Sequence, residues 1–114
     1  MKYLQSGKFF GDTFNALSVK GITLTETIYT HEWVDWHYHE NAYFTYLLEG
    51  KMVEGSKKEK NICSRGTLLY HNCQESHYNI KPPGFTKGFH IEISAEWTKE
   101  QKLSGGIWGG NCFG

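Results

Sequence analysis

Arginine is almost missing from this chain. Arg65 is the only one, and 12 basic and 12 acidic side chains cancel to a net charge of zero. An autonomous nucleic-acid binder usually presents a basic face rich in guanidinium forks, so direct contact of this chain with nucleic acid is not expected. Long apolar runs are missing as well, and no stretch approaches the ~20 residues needed to cross a bilayer as a helix. The start Met1-Lys2-Tyr3-Leu4 passes into polar residues and lacks the apolar segment of a secretory leader. Cysteine is scarce: Cys63, Cys73 and Cys112 are odd in number and form no CxxC pair, which argues for free thiols in a reducing compartment. The expectation is a cytoplasmic protein with no membrane contact. A phosphate-cradling loop is absent too, because Gly105-Gly106 and Gly109-Gly110 do not follow a strand and open a helix. Nor is there a nucleophile system of the Ser/His/Asp type. Ser76 adjoins His77 and therefore lies on the opposite strand face.

What is present describes one small β-rich unit. A chain of 114 residues supports a single domain over 1–114 with one core, and an aromatic share of 16% exceeds what a disordered segment carries. Strand-like runs follow one another closely. Ala16 to Val19 breaks at Gly21, Ile22 to Tyr29 alternates threonine with larger residues, and Tyr43 to Leu48 turns at Glu49-Gly50 into Met52-Val53. Glu54 to Asn61 reads as a polar hairpin tip containing Lys57-Lys58-Glu59-Lys60. Thr67 to His71, Ser76 to Ile80, the turn Pro82-Pro83-Gly84, and Gly88 to Ile93 complete the set. Such spacing indicates an antiparallel sandwich or barrel. One helix is expected, Ala95 to Leu103, with Ser94 as its N-cap and Ser104-Gly105-Gly106 as its stop.

The chemistry concentrates in histidines. Side chains two apart on a strand share a face, so His37 and His39 stand together while Tyr38 points away, and His77 lies in a second strand about forty residues on. Neutral imidazole is a common ligand for zinc, copper, iron and nickel, and three of them leave positions open for water or a small molecule. The plain alternative is that these are polar barrel-lining residues bonded to one another or to water. Tyr43, Thr45 and Leu47 share the parity of the two histidines, while Phe44, Tyr46 and Leu48 form the other face. A strand apolar on both faces needs cover on both, from other strands or from a second copy in a homodimer. His71 and His90 are expected to be structural or surface residues, with Phe89, Ile91 and Ile93 filling the core and His90 and Glu92 facing outward. Cys73, four residues before His77, is either a further zinc ligand or a small buried apolar residue. Trp33 and Trp36 either stack on a ligand ring at the pocket entrance or pack at the barrel mouth.

The run from His31 to Gly50 resembles the first cupin motif, G-x5-HxH-x3-E-x6-G, with His37, His39 and Gly50 in place. His31 stands at its first glycine and Tyr43 at its glutamate. Residues 66–81 resemble the second motif, G-x5-PxG-x2-H-x3-N. Gly66 and His77 are in place, and Asn72, Gln74 and Lys81 stand at the other positions. More narrowly, His39 to Gly50, Gly66 to His71 and Ile91-Glu92-Ile93 resemble the N-terminal effector-sensing cupin domain of AraC-type transcription regulators. The resemblance implies an all-β double-stranded β-helix, or jelly roll, that binds a small molecule such as a sugar or other polar metabolite among Trp36, His37, His39, Tyr43 and His77. It also implies a divalent transition metal on His37, His39 and His77. The glutamate replaced by Tyr43 is the fourth ligand of metal cupins, and a phenol binds such ions poorly until it loses its proton near pH ~10. Glu40 has the wrong strand parity to stand in. In AraC-type proteins a helix-turn-helix region of about a hundred residues follows the sensor. This sequence contains none, which reads as an excised domain or a naturally short relative. The expected role is effector sensing. The alternative is a stand-alone metal cupin enzyme, dioxygenase- or isomerase-like, using a three-histidine site.

Overall fold

A computed structural model describes residues 2–73 and 75–100. Ten strands and one helix follow in chain order: β1 Lys2–Leu4, β2 Asp12–Val19, β3 Ile22–Ile28, β4 Trp33–His39, β5 Ala42–Glu49, β6 Lys51–Ser56, β7 Lys60–Ser64, β8 Leu68–His71, β9 His77–Ile80, β10 Lys87–Ile93 and α1 Ala95–Glu100. They form two five-stranded sheets, ordered β1-β4-β9-β6-β7 and β2-β3-β10-β5-β8. All pairings are antiparallel except β1 with β4. The expected jelly roll is therefore present. No helix among the described residues is long and apolar enough to cross a membrane.

Local chemistry accounts for the turns. Lys20 and Gly21 both adopt positive φ between β2 and β3, as a two-residue hairpin turn requires. Gly50 has φ near 87°, and a Cβ there would sit 2.4 Å from the carbonyl oxygen of Phe85, so no other residue fits without displacing backbone. Ser94 caps α1 as expected, its Oγ accepting from the Trp97 amide at 3.1 Å. The expected end of this helix at Leu103 and the glycine-rich stretch after it lie outside the described residues.

The space between the sheets is divided. Toward one end Leu47, Met52 and Cys63 make a small apolar cluster with Tyr29 and Leu69 against it. The remainder mixes apolar residues such as Val34, Ala42 and Ile93 with many buried polar side chains, and here two expectations are reversed. On β10 it is His90 and Glu92 that point inward, each 1% exposed, whereas Phe89 and Ile91 are only half-buried. The interior has partners for them: His90 Nδ1 meets Thr25 Oγ1 at 3.2 Å and its Nε2 meets the Tyr29 hydroxyl, while Glu92 accepts from Gly7 and Asn41. Buried polar groups are tolerated when so paired. The second reversal concerns Glu54. The strand β6 continues to Ser56, so Glu54 lies inside it on the same face as Met52 and is 7% exposed. Cys63 is a free buried thiol, but Cys73 is disulfide-bonded and so is not the free thiol or zinc ligand considered above.

Candidate metal centre

The three imidazoles come from two adjacent strands of one sheet. Strand β4 presents His37 and His39 on its inner face, with ring centroids 5.4 Å apart. Its neighbour β9 places His77 directly opposite His37 in register, centroids 4.3 Å apart. The His39 and His77 rings are near parallel at 5.5 Å. One ligand nitrogen from each of the three buried imidazoles lies within 4.8 Å of the others. Tyr43, from β5 in the facing sheet, reaches across, its hydroxyl 3.2 Å from His77 Nε2.

Hydrogen bonds behind the rings set their tautomers. His37 Nδ1 donates to the carbonyl of Asp35 at 2.8 Å and His77 Nδ1 to that of Glu75 at 3.4 Å. A carbonyl only accepts, so the proton resides on Nδ1 and the Nε2 lone pair is left for the interior, which is the arrangement metal-binding imidazoles commonly show. His39 Nδ1 is buried with no hydrogen-bond partner among the described residues. Burial first, and the neighbouring imidazoles second, hold His39 far below the usual imidazole range. Burial likewise lowers His37, and lowers His77 to about 3. All three are neutral at physiological pH, the form that coordinates a metal. On donor chemistry, tautomer and the orphaned nitrogen, these residues fit a divalent transition ion.

Two acid–base groups join them that the sequence did not reveal. Glu54, on the other side of β9 from the histidine strand, hydrogen-bonds His71 Nε2 through Oε2 and accepts from Asn79 Nδ2 at 2.9 Å through Oε1. Its Oε1 is 3.5 Å from His77 Nε2. Burial opposes its ionisation, but the adjacent His71 and the hydrogen bonds from His71 and Asn79 outweigh that and hold the carboxyl down at about 2. His71 is buried under the Tyr43 ring, which stacks on it at 4.2 Å, and is not a surface residue. Glu54, His71 and His77 form a second buried group able to hold an ion, with His77 common to both. The shared parity of Glu54 with Met52 was the one available signal.

The cavity among these residues is small, about 30 Å³, room for one or two water-sized groups. Two aromatic residues between β1 and β2 close it. Phe9 stacks flat on His90 at 3.6 Å and meets Tyr43 edge-on at 5.3 Å, while Phe10 stands edge-on to His37 at 5.1 Å. The segment is fastened by the Gly7 amide donating to Glu92 at 2.7 Å. Of the five residues expected to meet a ligand, His37, His39, Tyr43 and His77 line this cavity and Trp36 does not. The Trp36 ring packs edge-on against Tyr78 at 4.9 Å and borders, with Trp33, His31, Lys2 and the far side of Phe10, a separate open depression.

No protein-family model and no curated protein matches the sequence. Solved structures do match the fold. A cupin-2 domain protein from Shewanella frigidimarina aligns over 74% of this chain and 84% of its own, with a TM-score of 0.59 and 12% identity. KdgF from a Halomonas species aligns over 71% and 77%, with a TM-score of 0.63 and 12% identity. A cupin superfamily protein from Desulfitobacterium hafniense aligns over 75% and 81%, with a TM-score of 0.60 and 15% identity. The fold is thus the cupin jelly roll, and at such identities the likeness carries the architecture without an activity.

Proposed function

We propose that this chain is a metal-dependent cupin that binds one divalent transition ion on His37, His39 and His77 and acts through it on a small polar molecule. The observation that supports this reading is the convergence of three neutral imidazoles, two of which, His37 and His77, have their Nδ1 protons tied to backbone carbonyls. Such an ion supplies Lewis acidity, polarising a carbonyl or lowering the pKa of water. The chain's own groups do the rest. The Tyr43 hydroxyl stands at the cavity edge beside His77, where it can donate a hydrogen bond. Phe9 and Phe10 exclude bulk water, which strengthens every electrostatic contact inside. Protein purified without metal affinity chromatography should contain near-stoichiometric iron, manganese, nickel, copper or zinc by elemental analysis, and a His37→Ala, His39→Ala double variant should lose it. Metal-free wild-type protein that also fails to take up any of these ions overturns the reading.

The N-terminal segment packed over the cavity through Phe9 and Phe10 suits a second reading, effector sensing by an AraC-type regulator domain. A sugar-sized ligand cannot enter a cavity of about 30 Å³ unless Phe9 and Phe10 withdraw, so binding would be coupled to displacement of the N-terminal segment. The two positions of that segment must then differ in ligand affinity. In this reading the chain signals to a partner domain or a second copy without touching DNA itself. The outward-facing Phe44, Tyr46 and Leu68 offer apolar surface for a homodimer. A panel of sugars and small metabolites that raises the melting temperature of the metal-free protein, and speeds proteolysis before residue 12, would support sensing over catalysis.

A further inference from the structure

We infer that Glu54, outside both histidine motifs, is the carboxylate ligand of the ion, taking the place of the one lost at Tyr43; this rests on the metal reading above. The topology makes it possible. Strand β9 lies between β4 and β6: His77 is directly opposite His37 on β4, and Glu54 on β6, in register with Asn79, reaches it diagonally from the other side. The donor atoms of Glu54, His71 and His77 form one buried group within 4.8 Å, which shares His77 with the three-histidine group. The carboxylate is also oriented as a ligand would be. Its Oε2 is held by His71, and its Oε1, fixed by Asn79, faces His77 Nε2 at 3.5 Å. Ligating carboxylates are characteristically fixed by such outer hydrogen bonds.

Charge argues the same way. A buried carboxylate needs compensation; His71 supplies it at Oε2, while Lys81, which also lines the cavity, is committed elsewhere. Lys81 Nζ donates to the carbonyls of Pro82 and Gly84 at 3.0 and 2.7 Å. Three neutral imidazoles leave the full double charge of an ion uncompensated, and Glu54 is the acidic side chain that borders the cavity. His71 is then a positioning residue, holding the carboxylate through its second oxygen.

The test is titration of chelator-stripped full-length protein with Co²⁺, read by calorimetry and by the visible absorption of bound cobalt. Wild type should bind one ion. Glu54→Gln should weaken binding at least ~100-fold and change the cobalt spectrum, and His71→Leu should weaken it ~10-fold, the scale of outer-shell losses. Where the glutamine variant fails to fold, Glu54→Asp decides. The shorter carboxylate should bind several-fold more weakly with an altered spectrum. Wild-type binding with unchanged affinity and spectrum in the folded Glu54 variant overturns this inference and leaves the three-histidine site standing. No cobalt binding by wild type removes both.

Discussion

Metal-free protein should lose stability steeply as pH falls from about 7 to about 5. His77 and His90 are buried and held down at about 3, against 6.5 for an ordinary imidazole. Each folded value lies below the unfolded one, so between them the unfolded chain takes up the proton and the native state does not. Stability therefore rises with pH through this window and declines on acidification, by up to ~1.4 kcal/mol per pH unit for each such histidine. Integrated from about pH 7 to about pH 5, each contributes a loss of about 2 kcal/mol, and the pair about 4 kcal/mol. His37 and His39 shift in the same direction and add to it. Against a total of about 5–15 kcal/mol for a typical domain this is a large fraction. Urea titrations in chelator should show the midpoint falling by roughly 2 M or more over that range, for a slope of ~1–2 kcal/mol per M. A His90→Gln variant should fall less, because one of the four contributions is gone. A midpoint that stays level or rises toward about pH 5 would refute the claim that these rings are buried in neutral form.

Leu47, 1% exposed in the apolar cluster, should cost about 2–5 kcal/mol on replacement by alanine, measured by chemical denaturation. Gly50→Ala meets both positive φ and the Phe85 carbonyl at 2.4 Å, and should cost about 1–3 kcal/mol by the same assay, with β5 and β6 the first to lose amide protection. Phe9→Ala removes the ring stacked on His90 and packed at 4.8 Å against the proposed ligand His39, while leaving every donor atom in place. It should destabilise by about 1–3 kcal/mol and let a chelator strip the ion several-fold faster. An unchanged stripping rate would mean that Phe9 does not close the cavity.

Much of the architecture was legible because it is written locally. The threonine alternation of β3, the turns at Gly21 and Gly50, and the two-residue spacing that puts His37 and His39 on one face all follow from short-range pattern. That His77 joins them depends on β9 lying beside β4, a pairing across some forty residues that only the motif resemblance suggested. The errors have separate causes. Assigning the apolar face of β10 to the core assumed an apolar core, but here the interior is a polar chamber, so His90 and Glu92 face in. Glu54 was hidden by its neighbours: a run of lysines drew it into the hairpin tip, although its parity with Met52 pointed inward. Trp36 alternates outward from His37 and belongs to the outer aromatic surface with Tyr78. Parity alone foretold that.

The parallel edge strand β1 acts as a splint on the strand that carries two of the three imidazoles. Lys2 and Leu4 lie in register with His37 and His39, and the Glu40 amide donates to the Leu4 carbonyl at 2.8 Å. Deuterium uptake at that single amide consequently reports on both events at once, the peeling away of the first few residues and the slackening of the chelating strand. Trimming the chain before residue 5 should loosen ion binding although no donor atom is removed.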